Sequence, residues 1–183
     1  IGGATSTSNS ILGNVIGLNV TNNAVANSVD GIRVNVPFTI IGGGAGGARN
    51  IISGNTGDGI ESVAPVGTNM VVRGNWIGVN ATGNVALGNT FNGIYTGGGT
   101  GGRIGGTAAG EGNVIAAHGD IGLRIEGGSG LVIEGNRIGF GADGSTALGS
   151  LVGISAGFGA TDMTIGGTSA AAANLIANNG TGI

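Results

Sequence analysis

The stretch GNWIGVNATGNVALGN, residues 74–89, returns as GNRIGFGADGSTALGS at 135–150 and, more loosely, as GNVIGLNVTNNAVANS at 13–28. Its opening Gly-Asn pair places Asn14, Asn75 and Asn136 at intervals of 61 residues. Between the copies runs a second refrain, IGG at 41–43, 104–106 and 165–167, each followed by Asn-x-Ile at 50–52, 113–115 and 174–176. A fixed internal period marks a repeat architecture, in which one unit cannot bury its apolar face alone and must stack on its neighbours.

Each 61-residue unit divides into two turns of about 31 residues, and each turn holds three short strand patterns. The first ends in IGG or xGN, the second is Asn-x-Ile, and the third is Gly-Ile or a close variant. Aligning the second pattern puts isoleucine in one column (Ile16, Ile52, Ile77, Ile115, Ile138, Ile176). Asparagine stands two positions earlier each time (Asn14, Asn50, Asn75, Asn113, Asn136, Asn174). Residues i and i+2 of a strand share a face, so both columns are expected to point inward. Buried amides are costly without partners. Stacked asparagines satisfy one another from turn to turn, as in cross-β assemblies.

The third pattern repeats the logic with Gly31, Gly59, Gly93, Gly122, Gly153 and Gly182 before Ile32, Ile60, Ile94, Leu123, Ile154 and Ile183. Six such turns at roughly 4.8 Å each give a rod about 29 Å long. Short strands, glycine bends and identical stacked residues predict an all-β chain forming a parallel β-helix, or solenoid, of about six turns with three strands per turn. Crossovers between parallel strands are overwhelmingly right-handed, which sets the expected hand. No window carries helical periodicity, and a propeller blade needs ~40–45 residues in four antiparallel strands. The register of the first strand is ambiguous, because Arg73 and Glu134 fall where alternate turns carry Ile41, Ile104 and Ile165. Residues 1–9 match no full turn.

Composition narrows the function classes. The chain has 45 glycines among 183 residues without a Gly-X-Y period, so it is not collagen. Charged residues are only 8% and lysine is absent, leaving six arginines and a net charge of −3. That balance offers no electrostatic footprint for nucleic acid. Apolar runs are too short for membrane insertion, and without cysteine there is no disulfide or thiolate metal site. No cofactor pattern or metal-ligand set is present. The loop around Asp143 has one carboxylate where a Ca²⁺ loop needs several, and reads as a structural turn. The chain is expected to be a single β-helix segment over 1–183. It starts and stops within strand-like patterns, which predicts a piece of a longer repeat protein or fibre.

The alternation of IGGTAAGEGNVIA (104–116), GLVIEGNRIG (130–139) and ADGSTALG (142–149) resembles the repeats of large secreted bacterial proteins with right-handed parallel β-helices. These are related in architecture to the pectate-lyase-like superfamily. The resemblance covers essentially the whole chain and implies a secreted, extracellular or cell-surface setting. It does not select a function, since that architecture carries lyases, hydrolases, epimerases, adhesins and passenger domains.

Two outward columns follow from the alternation. On the third strand Arg33, Glu61, Tyr95, Arg124 and Ser155 face water. Tyr95 can stack on a sugar while the arginines fork onto hydroxyls or carboxylates, which makes Arg33, Glu61, Tyr95 and Arg124 candidate glycan-binding residues. The plainer reading is a solubilising row with weak surface ion pairs. On the second strand the outward slot holds Val15, Ile51, Trp76, Val114, Arg137 and Leu175. Five of the six are apolar, so this stripe needs a cover. The segments 79–92 and 140–152 are expected to fold over it; a partner is the alternative.

Catalytic chemistry has little to work with. The nine carboxylates are scattered, and the one histidine, His118, has only Asp120 nearby in sequence. Two functions from different classes therefore stand. The first is a structural or adhesive module of an extracellular bacterial surface protein or filament. It would self-associate through its uncapped edges or continue into further repeats, and would contact glycans. The alternative is a polysaccharide lyase or epimerase using His118, Asp120, Tyr95 and Arg124. The enzyme reading predicts a groove of ionisable groups with shifted pKa values; the fibre reading predicts none. Ice binding fails for want of regular threonine ladders. The Asn-x-Thr motifs at Asn19, Asn80 and Asn179 match the glycosylation pattern, and Asn19 and Asn80 are expected at equivalent surface positions.

Overall fold

The computed structural model describes residues 8–63 and 68–183. Most of the unmatched stretch 1–9 therefore lies outside the described residues. The strands form three parallel sheets wound about one axis. The first sheet contains Ser10–Ile11, Ile40–Ile41, Val71–Val72, Arg103–Gly105, Val132–Glu134 and Thr164–Ile165. The second contains Val15–Ile16, Ile51–Ile52, Trp76–Ile77, Val114–Ile115, Arg137–Ile138 and Leu175–Ile176. The third contains Ile32–Val34, Ile60–Ser62, Ile94–Thr96, Ile121–Glu126 and Val152–Gly157. The chain visits the three sheets in fixed rotation, giving five complete coils and two strands of a sixth. The only helical turn among the described residues is a short 3₁₀ segment, Ala170–Ala172, capped by Ser169.

Like meets like along the axis, as in-register parallel pairing requires. Ile52 pairs with Ile77, Ile77 with Ile115, and Ile115 with Ile138, all without solvent contact. The first-sheet ambiguity resolves one residue away from the naive alignment. Ile41 and Ile104 pair with Val72, and Ile104 also with Ile133, so Arg73 and Glu134 fall one position beyond the inward slot.

The predicted asparagine column is a continuous hydrogen-bonded ladder. The amide of Asn14 donates to Asn50 at 3.0 Å, Asn50 to Asn75 at 2.9 Å, and Asn75 to Asn113 at 3.1 Å. Asn113 donates to Asn136 and Asn136 to Asn174, each at 2.9 Å. Each Oδ1 also accepts the backbone N–H of the preceding asparagine in the column. From Asn50 onward, the second amide proton goes to a first-sheet carbonyl of the coil before, such as that of Ile41 for Asn75. Polar groups at the corner are thereby paired inside a dry core.

Gly17, Gly78 and Gly139 follow the inward isoleucine on every second coil, with φ of 86°, 86° and 88°. A side chain there would strike the backbone of the next coil, at Ser53, Ala116 and Ala177 respectively. Only glycine fits this slot. From it the chain leaves the coil in a small hairpin, bridged at Leu18–Ala24, Val79–Ala86 and Phe140–Ala147. The hairpins touch one another across two coils: Asn22 Oδ1 accepts the Ala81 N–H at 3.2 Å, and Asn84 Oδ1 accepts the Asp143 N–H at 3.1 Å.

These hairpins cover the middle of the second-sheet apolar stripe. Val114 is buried with Val79 and Ala116, and Trp76, Ala142 and Leu148 pack against them. The Arg49 guanidinium closes over the Trp76 ring at 4.2 Å. Val15 and Leu175, on the first and last strands of that sheet, stay exposed. The cover predicted from 79–92 and 140–152 thus exists, and it comes from within the chain.

Candidate functional site

The third sheet presents the outward row expected from alternation. Arg33 pairs with Glu61, Glu61 with Tyr95, Tyr95 with Arg124, and Arg124 with Ser155. Beside this row lies a groove of about 390 Å³, spanning three coils and lined by Asp58, Glu61, Phe91, Asn92, Tyr95, Asp120, Arg124 and Glu126. Three of the four candidate glycan residues line it. The fourth, Arg33, reaches its edge through an ion pair with Glu61 at 3.0 Å.

Local hydrogen bonds fix the groove's side chains. Arg124 Nε donates to Glu126 Oε1 at 2.9 Å, joined by Nη2 on the same oxygen, and the Tyr95 hydroxyl donates to Glu126 Oε2 at 2.9 Å. Chiefly through Arg124, these contacts hold the Glu126 carboxyl below the usual range, and Glu126 in turn raises Arg124. Burial, and then the bond to Glu126, raises the Tyr95 phenol.

A short polar column, Asp30, Asp58 and Asn92, runs beside the row, and its last two members line the groove. The Asp58 N–H donates to Asp30 Oδ1 at 3.0 Å, and both the N–H and the amide of Asn92 donate to Asp58 Oδ1, at 2.8 and 2.9 Å. In the next coil the residue one before the strand glycine is Ile121, which has no side-chain donor. Asn92 is 6% exposed and its Oδ1 accepts no hydrogen bond. An orphaned buried carbonyl of this kind costs about 1–3 kcal/mol. Burial raises the Asp58 carboxyl, opposed by the Asn92 donors. Glu61 is raised by burial and by the neighbouring Asp30, against the pull of Arg33. No three His, Asp or Glu side chains among the described residues are arranged to hold a metal ion.

His118 stands apart from this groove. It is buried in a second ladder that the sequence did not reveal, running Asn27, Asn55, Asn89, His118, Ser150, Asn179. Asn27 donates to Asn55 and Asn55 to Asn89, both at 2.8 Å. The Asn89 N–H donates to His118 Nδ1 at 3.3 Å, the His118 N–H to Ser150 Oγ at 3.0 Å, and the Ser150 N–H to Asn179 Oδ1 at 3.0 Å. Because Nδ1 accepts, the ring proton is assigned to Nε2. The Ile77 carbonyl favours the protonated ring, yet no hydrogen bond of ordinary geometry joins it to Nε2. Burial wins and lowers the His118 pKa to about 3. The proposed companions of His118 divide accordingly: Asp120, Tyr95 and Arg124 meet at the groove, and the imidazole is sealed in the wall of the coil.

The other sequence-level candidates sit as follows. Asp143 accepts the Ser145 and Thr146 N–H groups, both at 2.9 Å, and the Thr146 hydroxyl at 2.6 Å, so its carboxylate closes a turn and its pKa is depressed. Asn19 is exposed, but Asn80 is 9% exposed. Its Oδ1 accepts the Thr82 hydroxyl at 2.7 Å as Asn19 Oδ1 accepts that of Thr21 at 2.8 Å, so the two turns are equivalent, but the surface expectation fails at buried Asn80.

Fold and groove together define a parallel β-solenoid with an acidic cleft on one sheet. No family model, curated protein or solved structure matches the chain.

Proposed function

We propose that this chain is a rigid structural and adhesive module of an extracellular bacterial surface protein or filament, whose third-sheet face contacts glycans. The groove's shifted groups are what the enzyme reading expected and a bare fibre did not, so the adhesive reading rests on how those groups are held. Glu61, Tyr95 and Arg124 stand on adjacent strands, their side chains fixed by ion pairs and by the Tyr95–Glu126 bond. The amide ladders behind them make a stiff support, and solenoids commonly use one face for binding. A saccharide-binding screen tests it. Retention of at least one glycan class, weakened by Tyr95→Ala, is the expected result. Electron micrographs showing filaments support the fibre context, and uniform single particles that bind no glycan overturn the reading.

One observation favours a second reading. Asp58 and Glu61, both with raised carboxyl pKa values, share the groove with Tyr95, Asp120 and Arg124. Carboxyls poised in this way suit acid–base chemistry on a carbohydrate. The excess of carboxylates disfavours an acidic polysaccharide as substrate, and buried His118 takes no part. Appearance of new chain ends from a polysaccharide incubated with the protein, lost in Glu61→Gln, supports the enzyme. Binding without turnover supports the adhesive module.

A further inference from the structure

We infer that the third-sheet groove selects a cationic, hydroxyl-bearing saccharide, an amino-sugar oligomer, over neutral or acidic glycans. The inference rests on the glycan-contacting reading above and names its ligand class. Its first support is charge. Asp58, Glu61, Asp120 and Glu126 line the groove against Arg124 alone, and Arg124 is already committed to Glu126. Adding the rim residues Asp30 and Arg33 leaves the carboxylates in excess.

The second support is hydrogen-bonding capacity. The Tyr95 hydroxyl proton is spent on Glu126, and the Asn92 N–H and one of its two amide protons go to Asp58. What Tyr95 and the lining carboxylates offer a ligand are acceptors. A ligand that fits must bring donors, and preferably positive charge. Hydroxyl and ammonium groups meet that requirement, whereas uronate carboxylates oppose it.

The third support is shape. Phe91 is 57% exposed at the groove, beside half-buried Tyr95. Aromatic surfaces suit the apolar face of a sugar ring. Coils repeat every ~4.8 Å, close to the length of one pyranose unit in an extended glycan. Successive sugars can therefore meet successive coils, which a flexible alkyl polyamine does not exploit.

Titration calorimetry on the intact chain tests the proposal. The probes are a glucosamine tetramer, an N-acetylglucosamine tetramer, a galacturonate tetramer and spermidine. At about pH 6 sugar amines are largely protonated and ordinary carboxylates ionised. The glucosamine tetramer is expected to bind about tenfold tighter than its acetylated counterpart, with galacturonate not binding. Asp120→Asn is expected to weaken the glucosamine tetramer about threefold and to leave the acetylated one unchanged.

Affinity should fall on acidification, since Asp58 and Glu61 take up protons above the ordinary carboxylate range. The charged and titratable groups around this pair are Asp30, Arg33 and Arg124, with Tyr95, Asp120 and Glu126 lining the same groove. Equal affinity for both tetramers overturns the cationic class and leaves glycan contact standing. Spermidine binding as tightly as the glucosamine tetramer overturns the saccharide in favour of simple ion exchange. Failure of every sugar overturns the glycan-contacting reading itself.

Discussion

His118 occupies a slot that its counterparts fill with asparagine or serine, and there its proton affinity becomes a stability term. Its folded pKa of about 3 lies below the ordinary 6.5. Between those values the unfolded chain binds a proton that the folded chain refuses, so stability falls as pH is lowered through that window. The loss is on the order of a few kcal/mol. Asp58 and Glu61 act in the opposite sense, because raised carboxyl pKa values mean that the folded chain holds protons more tightly. His118→Asn restores the ladder's usual amide. It is expected to flatten the drop in melting temperature between about pH 6.5 and about pH 3, read by circular dichroism. Asn75→Ala removes one rung from the first ladder and strands donors on Asn50. A loss of about 3 kcal/mol in denaturant unfolding is expected.

At the scale of the element, the three hairpins decide what the second sheet shows to water. Trp76 lies under them and beneath Arg49, so Trp76→Ala should cost about 3 kcal/mol. Val15 lies on an edge strand with no such cover, and Val15→Thr should change stability by about 0.5 kcal/mol or less. Comparable losses at both positions would mean that Val15 is covered in solution. The strands themselves were legible in the sequence because parallel in-register stacking forces the same residue into the same slot. The second ladder was not. Its members follow the inward isoleucine by 3 residues on short coils, as from Ile52 to Asn55, and by 11 or 12 where a hairpin intervenes, as from Ile16 to Asn27. Three residue types fill it, so no single letter recurs. A search that skipped the hairpins would have found it.

For the whole molecule, each coil pairs its strands only with its neighbours, the hairpins reaching one coil further, and cooperativity is passed along the axis. Inward isoleucines of the middle coils, such as Ile77 and Ile115, are fully buried, whereas Ile16 and Ile176 are only partly so. Amide hydrogen exchange in this chain should therefore be fastest in the outer coils and slowest around Asn75 and Asn113; uniform protection would contradict a nearest-neighbour rod. The groove belongs to this scale too, which is why the sequence hid it. Asp58 and Asp120 look scattered along the chain, yet three coils carry them to one cleft with Glu126, near the end of a strand longer than the repeat suggested. One further property emerges only from the assembled stack. Every rung from Asn14 to Asn136 donates one amide proton toward the later coil, and the second ladder runs the same way. The aligned amides give the stack an electrical polarity, their oxygens facing the earlier coils and their donating N–H groups the later ones. Two such rods can continue each other's ladders only nose to tail; inverted, oxygen would confront oxygen.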